Sequence, residues 1–357
     1  NGICHPDLYL WDAWSYRQDN TLHLYCLAIN RRLPDGTALL PKNRNDYPFH
    51  IRHFTSIDSG AQWRDEGEFQ SPAKARDEHD SRNVWSGSIH ALAPNRQLAA
   101  YTGVREIDDE RPFLQSLAAA QSIEGKELLE GSQRLLLCPL RDEKLIRENG
   151  YFLGEQNSLG TKHGEDTGPI LAWRDPYCFS DTEAPRGALL MVWAAKVAAK
   201  RSALGMARLN YNDNNIQLGD LLPPVTLPDE HLYTQLELPK ILVDSAHQRY
   251  LLLVATTTRE TESQSDEEVE KCIRLYHAPT AFGPWKTGGL KTSAIAGLEN
   301  QFGMTVLELN AKQQSLLCIA PYTEAADEAI ALSFAPVVEI KLSDIGIVDE
   351  ISADSVD

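Results

Sequence analysis

With 357 residues, 42% of them apolar, the chain can bury a sizeable core, either as one large β domain or as two ordinary ones. A net charge of -17 and an isoelectric point near 5.0 exclude a nucleic-acid backbone or an anionic membrane surface as partner, because both would be repelled. No run of about 18 uncharged apolar residues marks a membrane span, and the first residues lack the basic-then-apolar pattern of a secretion signal.

Near the N-terminus, Leu10-Trp11-Asp12-Ala13-Trp14 sets one carboxylate between two tryptophans, and the apolar run Leu22 to Ile29 follows as a strand. Trp85-Ser86-Gly87-Ser88 opens the next group, with the strand Gln97 to Val104 behind it. A Gly-rich polar loop from Gly154 to Gly168, carrying Lys162, His163, Glu165 and Asp166, precedes Trp173-Arg174-Asp175-Pro176 and the strand Ala188 to Ala195. Without regular ligand spacing, that loop reads as a pocket rim and not as a metal site. Leu236-Glu237-Leu238-Pro239 comes next, backed by the strand Arg249 to Ala255. The stretch Glu260 to Lys271 is the one segment with some helical periodicity, and its acidic run Asp266 to Glu270 reads as a solvated insertion. The last strong strand is Ser315 to Ala320.

The pattern is all-β and repetitive. Five units begin near Asp7, Asn83, Gly168, His231 and Asn300, each with a polar or acidic first strand, an apolar second strand and closing segments. A repeat of roughly 55 to 70 residues with about four strands fits propeller blades, whose first strands line a central channel. A single five-bladed β-propeller over residues 1–357, with a tail from about 346, is expected; a two-sheet sandwich beside a second domain is the competing arrangement.

Asp12, Asp175 and Glu237 all fall on first strands, which would bring residues remote in sequence to one funnel. Cleaving an acetal between two sugars needs one carboxylate at the oxocarbenium-like carbon and one carboxylic acid to protonate the leaving oxygen. Three acids supply both roles and a clamp for sugar hydroxyls, so the pattern suggests a glycosidase. Trp11 and Trp14 would wall the pocket around Asp12, Arg174 would hold Asp175 and a sugar hydroxyl through its forked guanidinium, and Leu236, Leu238 and Pro239 would give Glu237 apolar surroundings. The six cysteines lack CxxC spacing and read as buried free thiols, which points to the cytoplasm, with a secreted or periplasmic location after removal of a leader as the alternative.

Taken as an ordered set, these motifs resemble the levansucrase and inulosucrase family, glycoside hydrolase family 68. Ala203-Leu204-Gly205-Met206, Phe282-Gly283-Pro284-Trp285, Pro321-Tyr322-Thr323 and Ser333-Phe334-Ala335-Pro336 extend the match from residue 8 to about residue 345. The resemblance implies a single-domain five-bladed propeller with a central acidic pocket and retaining transfer of a fructosyl group to water or to a growing fructan. It implies Asp12 as nucleophile, Glu237 as general acid and base, and Asp175 as transition-state stabiliser. Trp11, Trp85, Ser86, Arg174 and Tyr322 would bind the sugar, a small carbohydrate would be the partner, and neither a metal nor an organic cofactor would take part.

The chain departs from the family on the side of the leaving group. Where the family has Asp-Glu-Ile-Glu-Arg, this chain has Thr234-Gln235-Leu236-Glu237-Leu238, and a second family Arg falls near Thr256, with Arg259 close but offset. A site that has lost charged hydrogen-bonding groups binds its former sugar poorly. The expectation is therefore a β-fructofuranoside substrate, sucrose-like or a small oligosaccharide, with hydrolysis favoured over polymer synthesis. A catalytically weak sugar-binding propeller and an inverting furanosidase related to arabinanases are the alternatives.

Overall fold

The structure is a computed structural model that describes residues 2–161, 171–181, 188–212, 215–261, 264–288, 294–298, 300–323, 325, 327 and 329–347. The expected unit start at Gly168, the loop residues Lys162, His163, Glu165 and Asp166, and the tail after residue 347 lie outside the described residues.

Among the described residues, twenty strands form five antiparallel meanders. Blade I holds β1 (Leu8–Gln18), β2 (Thr21–Asn30), β3 (His50–Ser56) and β4 (Arg64–Gln70). Blade II holds β5 (Asn83–Ala93), β6 (Arg96–Arg105), β7 (Leu114–Ile123) and β8 (Glu127–Leu128), with β9 (Arg134–Leu137) also paired to β7. Blade III runs β10 (Arg174–Phe179), β11 (Ala188–Ala198), β12 (Arg201–Asn212) and β13 (Asn215–Val225). Blade IV runs β14 (Gln235–Asp244), β15 (Arg249–Thr257), β16 (Lys271–Ala278) and β17 (Lys286–Thr287), and blade V has β18 (Thr305–Asn310), β19 (Ser315–Ile319) and β20 (Val338–Lys341).

The first strands meet in a ring: β1 touches β5 and β18, β5 touches β10, β10 touches β14, and β14 touches β18. The molecule is a five-bladed β-propeller. Each seam between neighbouring blades holds its own apolar core, which is why the second strand of each blade is almost wholly apolar: it is paired on both edges and packed on both faces. The N-terminal segment closes the ring onto blade V, where Ile3 and Phe334 exchange backbone hydrogen bonds at 3.1 and 2.9 Å and the Leu10 N–H donates to the Leu332 carbonyl at 2.7 Å.

Two local expectations are corrected. Among its described residues the stretch Glu260 to Lys271 forms a short 3-10 turn over Asp266–Glu268, because it has no apolar stripe to dock and a short helix is not stable by itself. The α-helix among the described residues, α1 (Glu143–Glu148), instead buries Ile146 in the seam between blades II and III. Of the six free thiols, Cys26, Cys138, Cys178 and Cys318 are buried, but Cys4 is exposed and Cys272 half-buried. Among the described residues no helix is long and apolar enough to cross a membrane.

Candidate active site

Every first strand is broken by an extra residue. Trp11 and Ala13 oppose the consecutive Leu27 and Cys26, leaving Asp12 unmatched; Trp85 and Gly87 oppose Thr102 and Tyr101, leaving Ser86 unmatched. The register slips again between Arg174 and Tyr177, between Glu237 and Lys240, and between Val306 and Glu308. A bulge bends the strand and re-aims a side chain out of the alternation, so five bulges turn five strand segments toward the channel. Pro176 and Pro239 sit within two of these bulges, where a missing N–H costs no ladder bond. Asp175 (φ 64) and Leu238 (φ 52) are left-handed, a conformation that costs a residue with a side chain about 1–2 kcal/mol.

The bulges bring Asp12, Asp175 and Glu237 together from three blades. The Ser86 hydroxyl donates to Asp12 Oδ2 at 3.3 Å. The Leu238 N–H, next in chain to Glu237, donates to Asp175 Oδ2 at 3.0 Å, and the Asp175 N–H donates to Thr102 Oγ1 at 2.9 Å. Thr102 Oγ1 in turn donates to the Ser86 carbonyl at 3.2 Å, so one chain of hydrogen bonds crosses blades II, III and IV. Arg174 lies 3.5 Å from Glu237 Oε1 and donates to Gln235 Oε1 at 3.4 Å. Arg174 is buried, whereas the Glu237 side chain keeps 20% of its surface open.

The half-buried Asp12 and the buried Asp175 lose hydration and feel the negative charge of Glu237. Burial, followed by the charge of Glu237, pushes Asp12 up to about 6, against the pull of Arg44, Lys240 and the Ser86 hydroxyl. Burial pushes Asp175 up to about 7, with Arg174 and the Leu238 N–H opposing and Glu237 and Asp12 adding.

An aromatic wall flanks Asp12. Trp11 meets Phe49 edge-on at 4.9 Å, Phe49 lies parallel to Trp85 at 6.5 Å, and Trp85 meets Phe113 at 6.5 Å. The Arg44 guanidinium lies 5.7 Å from the Trp11 ring, so Trp11 is almost wholly covered and the half-buried Trp85 offers the more open surface. Trp14 is not a pocket wall: at 1% exposure it stacks on Tyr25 in the seam between blades I and II, because the bulge at Asp12 shifts the alternation after it. Tyr322 is held by its backbone, its N–H donating to the Ser333 carbonyl at 2.7 Å and its carbonyl accepting from Leu332 at 3.0 Å. Among the described residues no hydrogen bond joins its hydroxyl to Asp12.

Sequence reasoning missed four contributors. Thr102 joins Ser86 to Asp175, and Arg44 reaches Trp11 from the loop between β2 and β3. Gly303 (φ 71) brings blade V so close that a Cβ there would lie 2.8 Å from Leu238 Cδ1 and 3.2 Å from Asp12 Oδ1. Lys240 is buried on β14, and its one sequence signal is a lysine opening the apolar run Ile241-Leu242-Val243. Among the described residues no group of three or more His, Cys, Asp or Glu is arranged to hold a metal ion.

A five-bladed propeller with three carboxylates turned into its channel is the class that fold and site define. The sequence matches no protein-family model and no curated protein. Its fold is that of inulosucrase and levansucrases. An inulosucrase from Halalkalicoccus jeotgali bound to kestose superimposes with a TM-score of 0.66 at 18% identity, over 94% of this chain and 86% of that one. A levansucrase variant complexed with sucrose gives 0.62 at 16% identity, over 94% and 84%. A Bacillus megaterium levansucrase variant gives 0.60 at 14% identity, over 94% and 83%.

Proposed function

We propose that the protein is a retaining glycoside hydrolase or fructosyltransferase acting on a β-fructofuranoside. The observation that carries this reading is the convergence of Asp12, Asp175 and Glu237 through three bulges, joined by the Ser86, Thr102, Leu238 and Arg174 contacts. In this reading Asp12 attacks the anomeric carbon while Glu237 protonates the glycosidic oxygen, giving a fructosyl ester on Asp12. Glu237, now a carboxylate, takes a proton from water or an acceptor hydroxyl, which displaces the ester and restores both groups. Asp175 accepts hydrogen bonds from fructosyl hydroxyls, strongest when the ring carries positive charge. The likeness in fold to proteins solved with kestose and with sucrose supports a small carbohydrate as ligand.

Hydrolysis is favoured over polymer synthesis. Gln235 is fully buried, and its amide accepts from Arg174 and donates to the Arg259 carbonyl at 2.8 Å, so the segment before Glu237 offers neutral groups that are already engaged. A segment before Glu237 that carries no carboxylate has less with which to hold a second sugar against water. The free thiols, including the exposed Cys4, support a reducing compartment, which we take to be the cytoplasm.

The test is product release from sucrose, raffinose, inulin, levan, small fructo-oligosaccharides and aryl furanosides, comparing the native chain with Asp12→Asn and Glu237→Gln. Turnover of at least one fructoside, abolished by both substitutions and accompanied by a trapped fructosyl ester on Asp12, is expected. Silence across the panel with sugar binding intact would replace the enzyme by a binding propeller, and inverted product stereochemistry would remove the ester.

A further inference from the structure

Lys240 follows Glu237 by three residues and is 3% exposed. An ammonium taken out of water costs several kcal/mol unless charge or hydrogen bonds compensate it. Two compensations are present. Lys240 Nζ donates to the Leu238 carbonyl at 3.1 Å, and the N–H of the same left-handed Leu238 donates to Asp175 at 3.0 Å. Burial pushes the proton affinity of Lys240 down to about 8, and the charges of Asp12 on β1 and Asp175 on β10 draw it up.

We infer that Lys240 is a positioning residue: it clamps the Leu238 turn that holds Asp175 and adds a buried positive charge to this group of acids. Lys240 shares the charge with two arginines: Arg44, which approaches from the loop side over Trp11, also favours the Asp12 carboxylate, and Arg174, in contact with Glu237 and Gln235, favours that of Asp175. At the Leu238 bulge the strand lacks regular pairing over two residues, so the carbonyl clamp replaces a missing ladder contact. The consequence for turnover rests on the fructosidase reading; the consequence for the carboxylates does not.

The two are separated by following the carboxyl carbons of Asp12 and Asp175 by NMR through a pH titration of the full chain without sugar. Lys240→Gln can still donate to the Leu238 carbonyl and isolates the charge, Lys240→Met removes both contributions, and Lys240→Arg keeps the charge. The Asp12 midpoint, about 6 in the native chain, is expected to rise by about one pH unit in Gln and Met and to stay in place in Arg. With a fructoside substrate, kcat/KM of the Gln variant is then about fivefold low at pH 6 and close to native at pH 8, a recovery that a merely structural loss would not show. An unmoved Asp12 midpoint in folded Gln and Met variants overturns the inference. If neither folds, the Lys240 ammonium is titrated in the native chain and in Asp12→Asn: a lower midpoint in the variant supports the coupling, and an unchanged one refutes it. Absent turnover with a shifted midpoint would sink the fructosidase reading alone.

Discussion

Replacing Asp175 by Asn separates what this residue does for turnover from what it costs the fold. Asn is the least disruptive substitute: it tolerates the left-handed backbone at φ 64, and its side-chain oxygen can still accept the Leu238 N–H. What disappears is the charge. Burial raises the folded-state midpoint of Asp175 from 3.8 to about 7, so the folded protein holds a proton that the unfolded chain releases at lower pH. Stability from this group is therefore fully present below about pH 4 and is lost as pH rises through 7. A displacement of about three pH units corresponds to roughly 4 kcal/mol, and for a chain of this length to a rise in Tm of about 5 °C. Thermal unfolding of native and Asp175→Asn proteins from pH 4.5 to pH 8.5 should show curves that nearly meet at the acid end and separate with pH, the variant being more stable above pH 8. Turnover of the best fructoside should fall about 100- to 1000-fold, as for loss of a group that stabilises transition-state charge. Parallel stability curves, or a variant less stable at pH 8.5, would refute the conclusion that burial raises the proton affinity of Asp175.

Asp12 must be ionised to attack, so kcat/KM is expected to fall below about pH 6, and a pH-rate profile with an acid limb near 4 would contradict its burial. Ser86→Ala removes a hydrogen bond that favours the Asp12 carboxylate, which should move that limb upward, while a limb left in place would mean that the 3.3 Å contact does not act on Asp12. Gly205→Ala would put a Cβ 2.1 Å from Trp193 Cε2, inside the Tyr151, Trp173 and Trp193 cluster between blades II and III. A loss of about 3 kcal/mol in denaturant unfolding is expected there, and a change below about 0.5 kcal/mol would mean that the seam is looser than its packing implies.

The all-β class and the five-fold repeat were legible because both depend on short-range pattern. The apolar runs at Leu22 to Ile29, Gln97 to Val104, Ala188 to Ala195, Arg249 to Ala255 and Ser315 to Ala320 became β2, β6, β11, β15 and β19, the second strands of the five blades. Burial on both faces leaves no choice but continuous apolarity, and that can be read directly. The three acids on first strands were legible for a related reason, since a carboxylate inside such a strand must face a channel or be paired. Tertiary structure decided the rest. Bulges are two-strand properties: nothing local in Trp11-Asp12-Ala13-Trp14 says that Asp12 is the unmatched residue and Trp14 the buried one. Arg44, Thr102, Lys240 and Gly303 come from four different blades, and each matters only for what lies opposite it once the ring has closed. The sequence alone determined which residue types were available at each depth of each blade; which of them meet, and how their charges divide the protons among them, was decided by register and ring closure, because electrostatic coupling depends on distance in space and not along the chain.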